Sequence, residues 1–242
     1  MRLMSLEPWS DPAHTWQASL PRHEVKFVGP SRAEPFVAAS LEALCAPDGQ
    51  FPDNVVHSIY FDSPDLASYA EKANGDYLKA KLRLRWYAER GERRPKTRGD
   101  WTAWLEVKTR TGSRGTKRRK LLRLPGPSPL GGLDPEALGA VIQEHLGSSR
   151  RPTCWISYSR TRLWGPGGLT RVSIDRDLRV EWVARWIPSH WFGATPPVFV
   201  VEVKGDTAAV DPALSTLILR HARKRAMSKY ALCLDYARGG LI

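Results

Sequence analysis

The chain has 242 residues, of which 42% are hydrophobic and 26% are charged. This balance is typical of a globular protein, excludes a wholly disordered chain, and allows one compact domain with a sizeable core. Lysine and arginine outnumber aspartate and glutamate by 37 to 25, and the resulting net charge of +12 predicts an anionic partner.

The cysteines and the apolar segments indicate the compartment. Cys45, Cys154 and Cys233 are odd in number and far apart, which excludes a CxxC site and argues against a disulfide framework. The first twenty residues lack the apolar run of a signal peptide, and no later run approaches the ~18 apolar residues of a membrane helix. We therefore expect a soluble, cytoplasmic protein with no membrane segment.

In chain order, an N-terminal arm of residues 1–20 precedes a single predicted domain of residues 21–242. Charged and apolar residues alternate over 22–27, which predicts a strand with Arg22, Glu24 and Lys26 on one face. A short amphipathic helix is predicted over 33–45, and an apolar, β-branched strand over 55–61.

The clearest alternation lies at 79–87, where Lys79, Lys81, Arg83 and Arg85 share one strand face. An Arg-rich loop, 89–100, follows it. The other predicted strands are 101–110, 116–124, 153–163, 170–180 and 198–204, with an extra strand considered at 181–186, and the other predicted helices are 134–146 and 211–225. About eight strands and three helices predict an α+β fold, an antiparallel eight-stranded β-barrel with helices packed outside and at its ends.

No P-loop, GxSxG or HExxH motif is present, and the histidines lack ligand spacing. What recurs is Glu-Val-Lys, at 24–26, 106–108 and 202–204, which places a carboxylate and an ammonium on the same strand face. A single such face is most simply a solvated outer surface, with cross-strand pairs worth ~0.2–1 kcal/mol. Its recurrence on several strands favours a water-filled barrel interior lined by these faces, because the excess of cations would repel itself without a bound anion.

Such an interior suits phosphate chemistry. Guanidinium and ammonium groups bind phosphate oxygens from several directions and align them for attack. The carboxylates among them have a role if they hold Mg²⁺ or Mn²⁺, which bridges phosphates.

Nine segments between Arg22 and Tyr236 together resemble the triphosphate tunnel metalloenzymes and, within them, the polyphosphate polymerase domain of the vacuolar transporter chaperone (VTC) family. The segments are RHEVKF at 22–27, SIYFD at 58–62, RLRWY at 83–87, LEVK at 105–108, KRR at 117–119, YSR at 158–160, SID at 173–175, VEVK at 201–204 and SKY at 228–230. Each segment alone is weak, but nine in the family's order are specific.

The resemblance implies a set of phosphate-binding residues: Lys26, Arg83, Arg85, Lys108, Lys117, Arg119, Arg160, Lys204 and Lys229. The charged strand faces add Arg22 and Lys81. It implies Glu202 as the metal ligand, with Glu24 and Glu106 as further ligands, whereas Asp175 could equally be structural. Lys26, Arg83, Arg85, Lys108, Arg160 and Glu202 are the predicted catalytic residues.

The leading hypothesis is Mn²⁺- or Mg²⁺-dependent polyphosphate synthesis from the terminal phosphate of a nucleoside triphosphate. An alternative keeps the site and uses water as acceptor, giving a triphosphatase. A different class is a non-catalytic polyphosphate or inositol-phosphate binding module. The expected partners are therefore a nucleoside triphosphate, tripolyphosphate or polyphosphate, and no nucleic acid is expected, because aromatics interleaved for base stacking are not evident. The sequence leaves the oligomeric state undetermined.

Overall fold

The computed structural model describes residues 16–19, 23–73, 78–89, 100–111, 114–124, 134–187 and 195–239. The strands are β1 Gln17–Ser19, β2 His23–Pro30, β3 Ala46–Pro47, β4 Asp53–Asp62, β5 Leu78–Ala88, β6 Trp101–Thr111, β7 Arg114–Leu124, β8 Arg151–Trp164, β9 Arg171–Val183, β10 Val198–Gly205 and β11 Arg223–Lys224. The α-helices are α1 Glu34–Leu44, α2 Ala67–Ala73, α3 Pro135–Leu146, α4 Pro212–Leu219 and α5 Lys229–Ala237.

The described strands form one antiparallel sheet in the order β1-β7-β6-β5-β4-β8-β9-β10-β2-β11, with β3 paired to β8. The α+β class and the antiparallel sheet are thus confirmed. The closed eight-stranded barrel is not confirmed, because the sheet has eleven strands in the described residues and their pairings do not join β1 to β11. The eight long strands match the eight predicted ones. β1, β3 and β11 are two or three residues long, too short for alternation to reveal them.

The sheet is strongly curled. Lys108 of β6 donates to Glu24 of β2, with Nζ and Oε2 3.1 Å apart, although β5, β4, β8, β9 and β10 lie between the two strands. In a flat sheet β6 and β2 would lie roughly 29 Å apart. The face that carries Glu24 and Lys108, hereafter the inner face, is therefore concave.

The opposite, outer face carries the larger part of the apolar core. Helices α1 and α4 pack in one apolar cluster with β2, β9 and β10, and helix α3 packs in another with β4, β5, β6, β7 and β8. The core residues between helices and sheet include Phe27, Leu41, Ile174, Phe199, Val201 and Ile218 in the first cluster and Leu84, Leu105, Leu122 and Ile142 in the second. The period of two that predicted the strands thus sends apolar side chains out under helices and charged side chains inward.

Helix α3 begins and ends where the sequence predicts. The side chain of Asp134 accepts hydrogen bonds from the backbone N–H groups of Glu136 and Ala137, and Pro135 occupies the first turn. Gly147 then ends the helix with φ 59°, a left-handed conformation that glycine adopts readily.

Helices α2 and α5 were not predicted. Helix α5 packs on Val56, Ile156 and Tyr158, which share the inner face with Arg85 and Arg160, and so covers one end of that face. It is buried on most of its sides, so no amphipathic stripe marks it in the sequence. Both helices are fixed to the end of β4 by Asp62, which accepts from the Tyr230 hydroxyl at 2.8 Å and from the backbone N–H groups of Ser68 and Tyr69.

Two predicted segments end earlier in the structure, and two others are described only in part. The helix predicted over 211–225 stops at Leu219, because Arg223–Lys224 pair with β2 instead. Of the strand considered at 181–186, residues 181–183 are the end of β9 and residues 184–186 are not in a strand. Of the predicted arm, 1–20, only 16–19 is described, and β1 pairs with β7; the loop 89–100 is described only at its two ends. No described helix combines the length and apolar character that crossing a membrane requires.

His57 provides a pH-dependent stability prediction. Its ring lies on the outer face, 5.0 Å from that of Trp86 and nearly parallel to it, and burial lowers the pKa of His57 to about 4. The unfolded chain, with a His57 pKa near 6.5, binds the proton more readily than the folded protein, so stability is lost as the pH falls from 6.5 towards 4. The full loss from this group is about 3 kcal/mol.

In His57→Phe, the free energy of unfolding should therefore fall less between pH 7 and pH 4.5 than in the parent protein, when it is measured by urea unfolding. The exposed His23→Gln variant serves as the control and should keep the parent profile. An unchanged profile in His57→Phe would contradict the assignment.

Candidate functional site

The register of the sheet brings the predicted site residues onto the inner face. Across neighbouring strands the Cα partners are Arg83 with Glu106, Lys81 with Lys108, Lys108 with Lys117, Glu106 with Arg119, Arg160 with Asp175, Glu202 with Lys26, and Lys204 with Glu24. Partners in an antiparallel pair point to the same side of the sheet. Arg22 lies outside the described residues.

One group, the Glu106 cluster, consists of Glu106, Arg83, Arg85 and Lys117. Glu106 is 3% exposed; its Oε2 lies 2.6 Å from Arg83 Nη2 and 3.7 Å from Arg85 Nη1, and Lys117 Nζ contacts its other oxygen. Burial raises the pKa of Glu106, but Arg83, Arg85 and Lys117 lower it well below its usual range. Glu106 is thus ionised and acts as a counterion to these three cations.

Lys117 is the unusual cation of that cluster. Burial, together with Arg83 and Arg85, outweighs the attraction of Glu106 and lowers the pKa of Lys117 to about 7. A phosphate beside Lys117 would add negative charge there and favour the protonated form of the lysine. A bound anion would therefore raise the pKa of Lys117.

The second group, the Glu202 cluster, consists of Glu202, Asp175, Arg160 and Lys229. Arg160 forms a bidentate pair with Asp175 at 2.5 and 2.7 Å, and its Nη2 also lies 3.1 Å from Glu202. Lys229 Nζ lies 2.6 Å from Glu202 and 2.5 Å from Asp175. Burial raises the pKa of both acids, but the cations lower it below its ordinary value. All four side chains are therefore charged and buried.

Lys229 reaches this cluster from helix α5 and not from a strand. Ser228 caps the helix by accepting from the backbone N–H of Ala231, which fixes the first turn where Lys229 stands. Only the resemblance of the segment at 228–230 could have placed Lys229 in the site, because strand alternation does not reach it.

Glu24 links the strands of the two groups. Its carboxylate lies 3.1 Å from Lys108 Nζ, 3.5 Å from Lys204 Nζ and 3.9 Å from Lys26 Nζ. Lys26 and Lys204 also lie 3.8 and 3.5 Å from Glu202. Burial and Glu202 raise the pKa of Glu24, but Lys26, Lys204 and Lys108 lower it to about 2. Two ionised carboxylates thus flank the same two ammonium groups.

Two tyrosines, whose roles the sequence did not reveal, support the cations. Arg83 donates to the Tyr60 hydroxyl at 3.1 Å, and Arg85 donates to the Tyr158 hydroxyl at 3.3 Å. Arg160 also lies 5.4 Å from the centre of the Tyr158 ring. Alternation alone would have placed Tyr158 and Arg160 on one face, so the signal was present in the segment at 158–160. These contacts hold the guanidinium planes in fixed orientations.

Arg119 lies apart from both clusters. Its guanidinium stacks 4.4 Å from the centre of the Trp104 ring, and its Nε donates to Gln17 at 3.1 Å. Among the described contacts, Arg119 has none with a carboxylate. It is thus an inner-face cation at the edge of the site that could contact an anion.

A divalent cation fits the carboxylates only with help from a substrate. In the described part of the chain, no group of three or more His, Cys, Asp or Glu side chains could hold a metal by itself. Glu24 and Glu202, however, are two ionised oxygen donors beside the same two lysines. This donor set suits Mg²⁺ or Mn²⁺, which need one or two carboxylates and fill their remaining positions with phosphate oxygens and water.

Comparison with known proteins identifies one family. The model of the VTC domain matches residues 21–124 and 136–237, which is most of the chain. No curated protein matches the chain significantly.

Solved structures that resemble the chain include a proposed adenylate cyclase from Bacillus halodurans, at 10% identity and a TM-score of 0.45, with 82% of this chain and 86% of that chain covered. Another proposed adenylate cyclase, from Vibrio parahaemolyticus, has 12% identity, a TM-score of 0.39 and coverages of 82% and 84%. A conserved hypothetical protein from Pyrococcus furiosus has 11% identity, a TM-score of 0.38 and coverages of 81% and 86%. Because these TM-scores are below 0.5, the similarities do not indicate a function for this chain.

Proposed function

The chain belongs to the VTC domain family, and we propose that it transfers the terminal phosphoryl group of a nucleoside triphosphate onto a polyphosphate chain. Family membership supports phosphoryl transfer on a triphosphate in general, and the choice of acceptor is our proposal. The main support for the proposal is the concave inner face. Cations from several strands and one helix outnumber the four ionised carboxylates there, Glu24, Glu106, Asp175 and Glu202. A linear polyanion matches a concave surface of this charge.

The arginines of the two clusters would bind the phosphates. Arg83, Arg85 and Arg160 present guanidinium forks that are already oriented by Tyr60, Tyr158 and the buried acids. Forks of this kind form paired hydrogen bonds with phosphate oxygens, so they fix the direction of the chain and keep the attacked phosphorus in line with the acceptor. Because the donors are oriented beforehand, little reorganisation is needed as charge moves to the leaving oxygen.

The lysines and carboxylates would balance charge. Glu24 and Glu202 would hold Mg²⁺ or Mn²⁺, which would neutralise phosphate charge in the site. Lys26 and Lys204, released from these carboxylates, would then contact phosphate oxygens themselves. Lys229 and Asp175 would keep Glu202 and Arg160 in place.

The test is incubation of the pure protein with ATP and Mn²⁺, followed by assays for long-chain polyphosphate, ADP and free phosphate. Polymer formed with equimolar ADP supports the proposal. Free phosphate without polymer would replace it by a triphosphatase activity. Binding of tripolyphosphate with no turnover would replace it by a non-catalytic binding module.

Arg85→Ala should weaken tripolyphosphate binding at least about tenfold, because the variant loses charge-assisted hydrogen bonds to phosphate. Arg123→Ala is the matched control: its side chain is 66% exposed and pairs with the exposed Asp100. Calorimetry should show less than a twofold change for the control. Equal losses in both variants would mean that binding follows overall charge and not the inner face.

A further inference from the structure

One rim of the inner face combines cations with an exposed aromatic ring. On β5 the inner-face positions are Lys81, Arg83, Arg85 and Tyr87, so an aromatic residue follows three cations along one strand face. Arg85 is 7% exposed, whereas Tyr87 is 44% exposed. The buried site therefore opens towards solvent at Tyr87.

A buried arginine supports that ring. The guanidinium carbon of Arg162 lies 5.6 Å from the centre of the Tyr87 ring, and its Nη1 donates to the backbone oxygen of Phe51 at 3.2 Å. Arg162 is itself only 9% exposed. Tyr87 is thus held against a fixed cation while a large part of its ring stays accessible.

The Tyr87 hydroxyl also lies in the field of the phosphate-binding cations. Burial raises the pKa of Tyr87, but Arg85, with Arg160 and Arg83, lowers it below its ordinary value. The same three arginines are those expected to bind the phosphates. Tyr87 follows Arg85 on the same face of β5, so its ring lies next to the anion site along that strand.

We propose that Tyr87 and Arg162 form a subsite for the base of a nucleoside triphosphate whose phosphates lie along the inner face. The inference rests on the proposed function, since it assumes that a triphosphate occupies that face. Arg85 and Tyr87 are two residues apart on one strand, ~7 Å along the chain, a span comparable with that of a ribose. A phosphate bound by Arg85 can thus carry its base onto Tyr87.

The subsite has the chemistry of stacking and not of base readout. An aromatic ring backed by a guanidinium attracts any flat, polarisable ring, and stacking tolerates all four bases. The hydrogen bond from Arg162 Nη1 to the backbone oxygen of Phe51 holds the guanidinium beside the Tyr87 ring. ATP and GTP should therefore bind within a few-fold of each other, and inorganic tripolyphosphate should gain nothing from Tyr87.

The experiment compares the binding of ATP and of tripolyphosphate by calorimetry in the parent protein, Tyr87→Ala, Tyr87→Phe and the control Phe36→Ala. The Phe36→Ala variant removes an aromatic ring that is 66% exposed on helix α1, on the outer face. We expect Tyr87→Ala to weaken ATP binding about tenfold and tripolyphosphate binding less than twofold. Tyr87→Phe and Phe36→Ala should leave both affinities within twofold.

Equal losses for ATP and tripolyphosphate in Tyr87→Ala would overturn the base subsite and assign the residue to phosphate binding or to folding. Unchanged ATP affinity in Tyr87→Ala would also overturn it. If the parent protein bound neither compound, the proposed function would fall and the subsite with it. Only a selective loss of ATP affinity supports the inference.

Discussion

Glu202→Gln is expected to lower divalent-metal-dependent turnover by about a hundredfold or more while leaving tripolyphosphate binding in the absence of metal intact or tighter. The change removes a metal-ligand charge without removing any phosphate donor. It also leaves Arg160, Lys229, Lys26 and Lys204 with less negative charge nearby, which favours an incoming anion. The variant should remain folded, because Asp175 still pairs with Arg160 and Lys229.

Steady-state turnover with ATP and Mn²⁺, together with calorimetric binding of tripolyphosphate in chelator, separates the two effects. Glu136→Gln, an exposed residue in the first turn of α3, is the matched control and should alter neither quantity. If Glu202→Gln lost binding and turnover to the same degree, Glu202 would be a structural acid and the metal role would be wrong.

Asp175→Asn is expected to destabilise the empty protein by ~3–5 kcal/mol, the usual cost of removing one partner of a buried ion pair. Asp175 is fully buried and accepts from both Arg160 and Lys229, so the variant leaves these two cations dependent on Glu202 alone. The melting temperature should fall by roughly 10 °C for a chain of this length. Tripolyphosphate should restore more stability to this variant than to the parent, because it supplies the missing anionic partner.

The control for that measurement is Asp100→Asn, which breaks the exposed pair with Arg123 and should change the free energy of unfolding by no more than ~0.5 kcal/mol. A loss of less than 1 kcal/mol in Asp175→Asn would show that the buried cations are compensated elsewhere.

The inner face was predictable because side-chain direction in a strand is local. Alternation in the segments around Glu24, Arg83, Glu106 and Glu202 was enough to separate the charged face from the apolar one. The register that sets Glu202 opposite Lys26 follows from the same pattern once the strands pair.

The sequence could not reveal what depends on distant contacts. That Lys108 meets Glu24 is a consequence of the curvature of six successive strand pairings, which no local pattern encodes. The position of α5 depends on Tyr230 reaching Asp62, 168 residues earlier in the chain. The counterion roles of Glu106 and Asp175 likewise depend on neighbours that are distant in the sequence.

The central claim, that the inner face binds a linear phosphate polyanion, is tested most directly by melting the protein with tripolyphosphate and with sodium chloride at equal ionic strength. Binding to the folded state alone raises its stability by RT ln(1 + [L]/Kd), about 2.7 kcal/mol at a hundredfold excess over Kd. The account predicts a rise of several degrees with tripolyphosphate and little change with chloride. Equal stabilisation by the two salts would reduce the effect to general screening and contradict the claim.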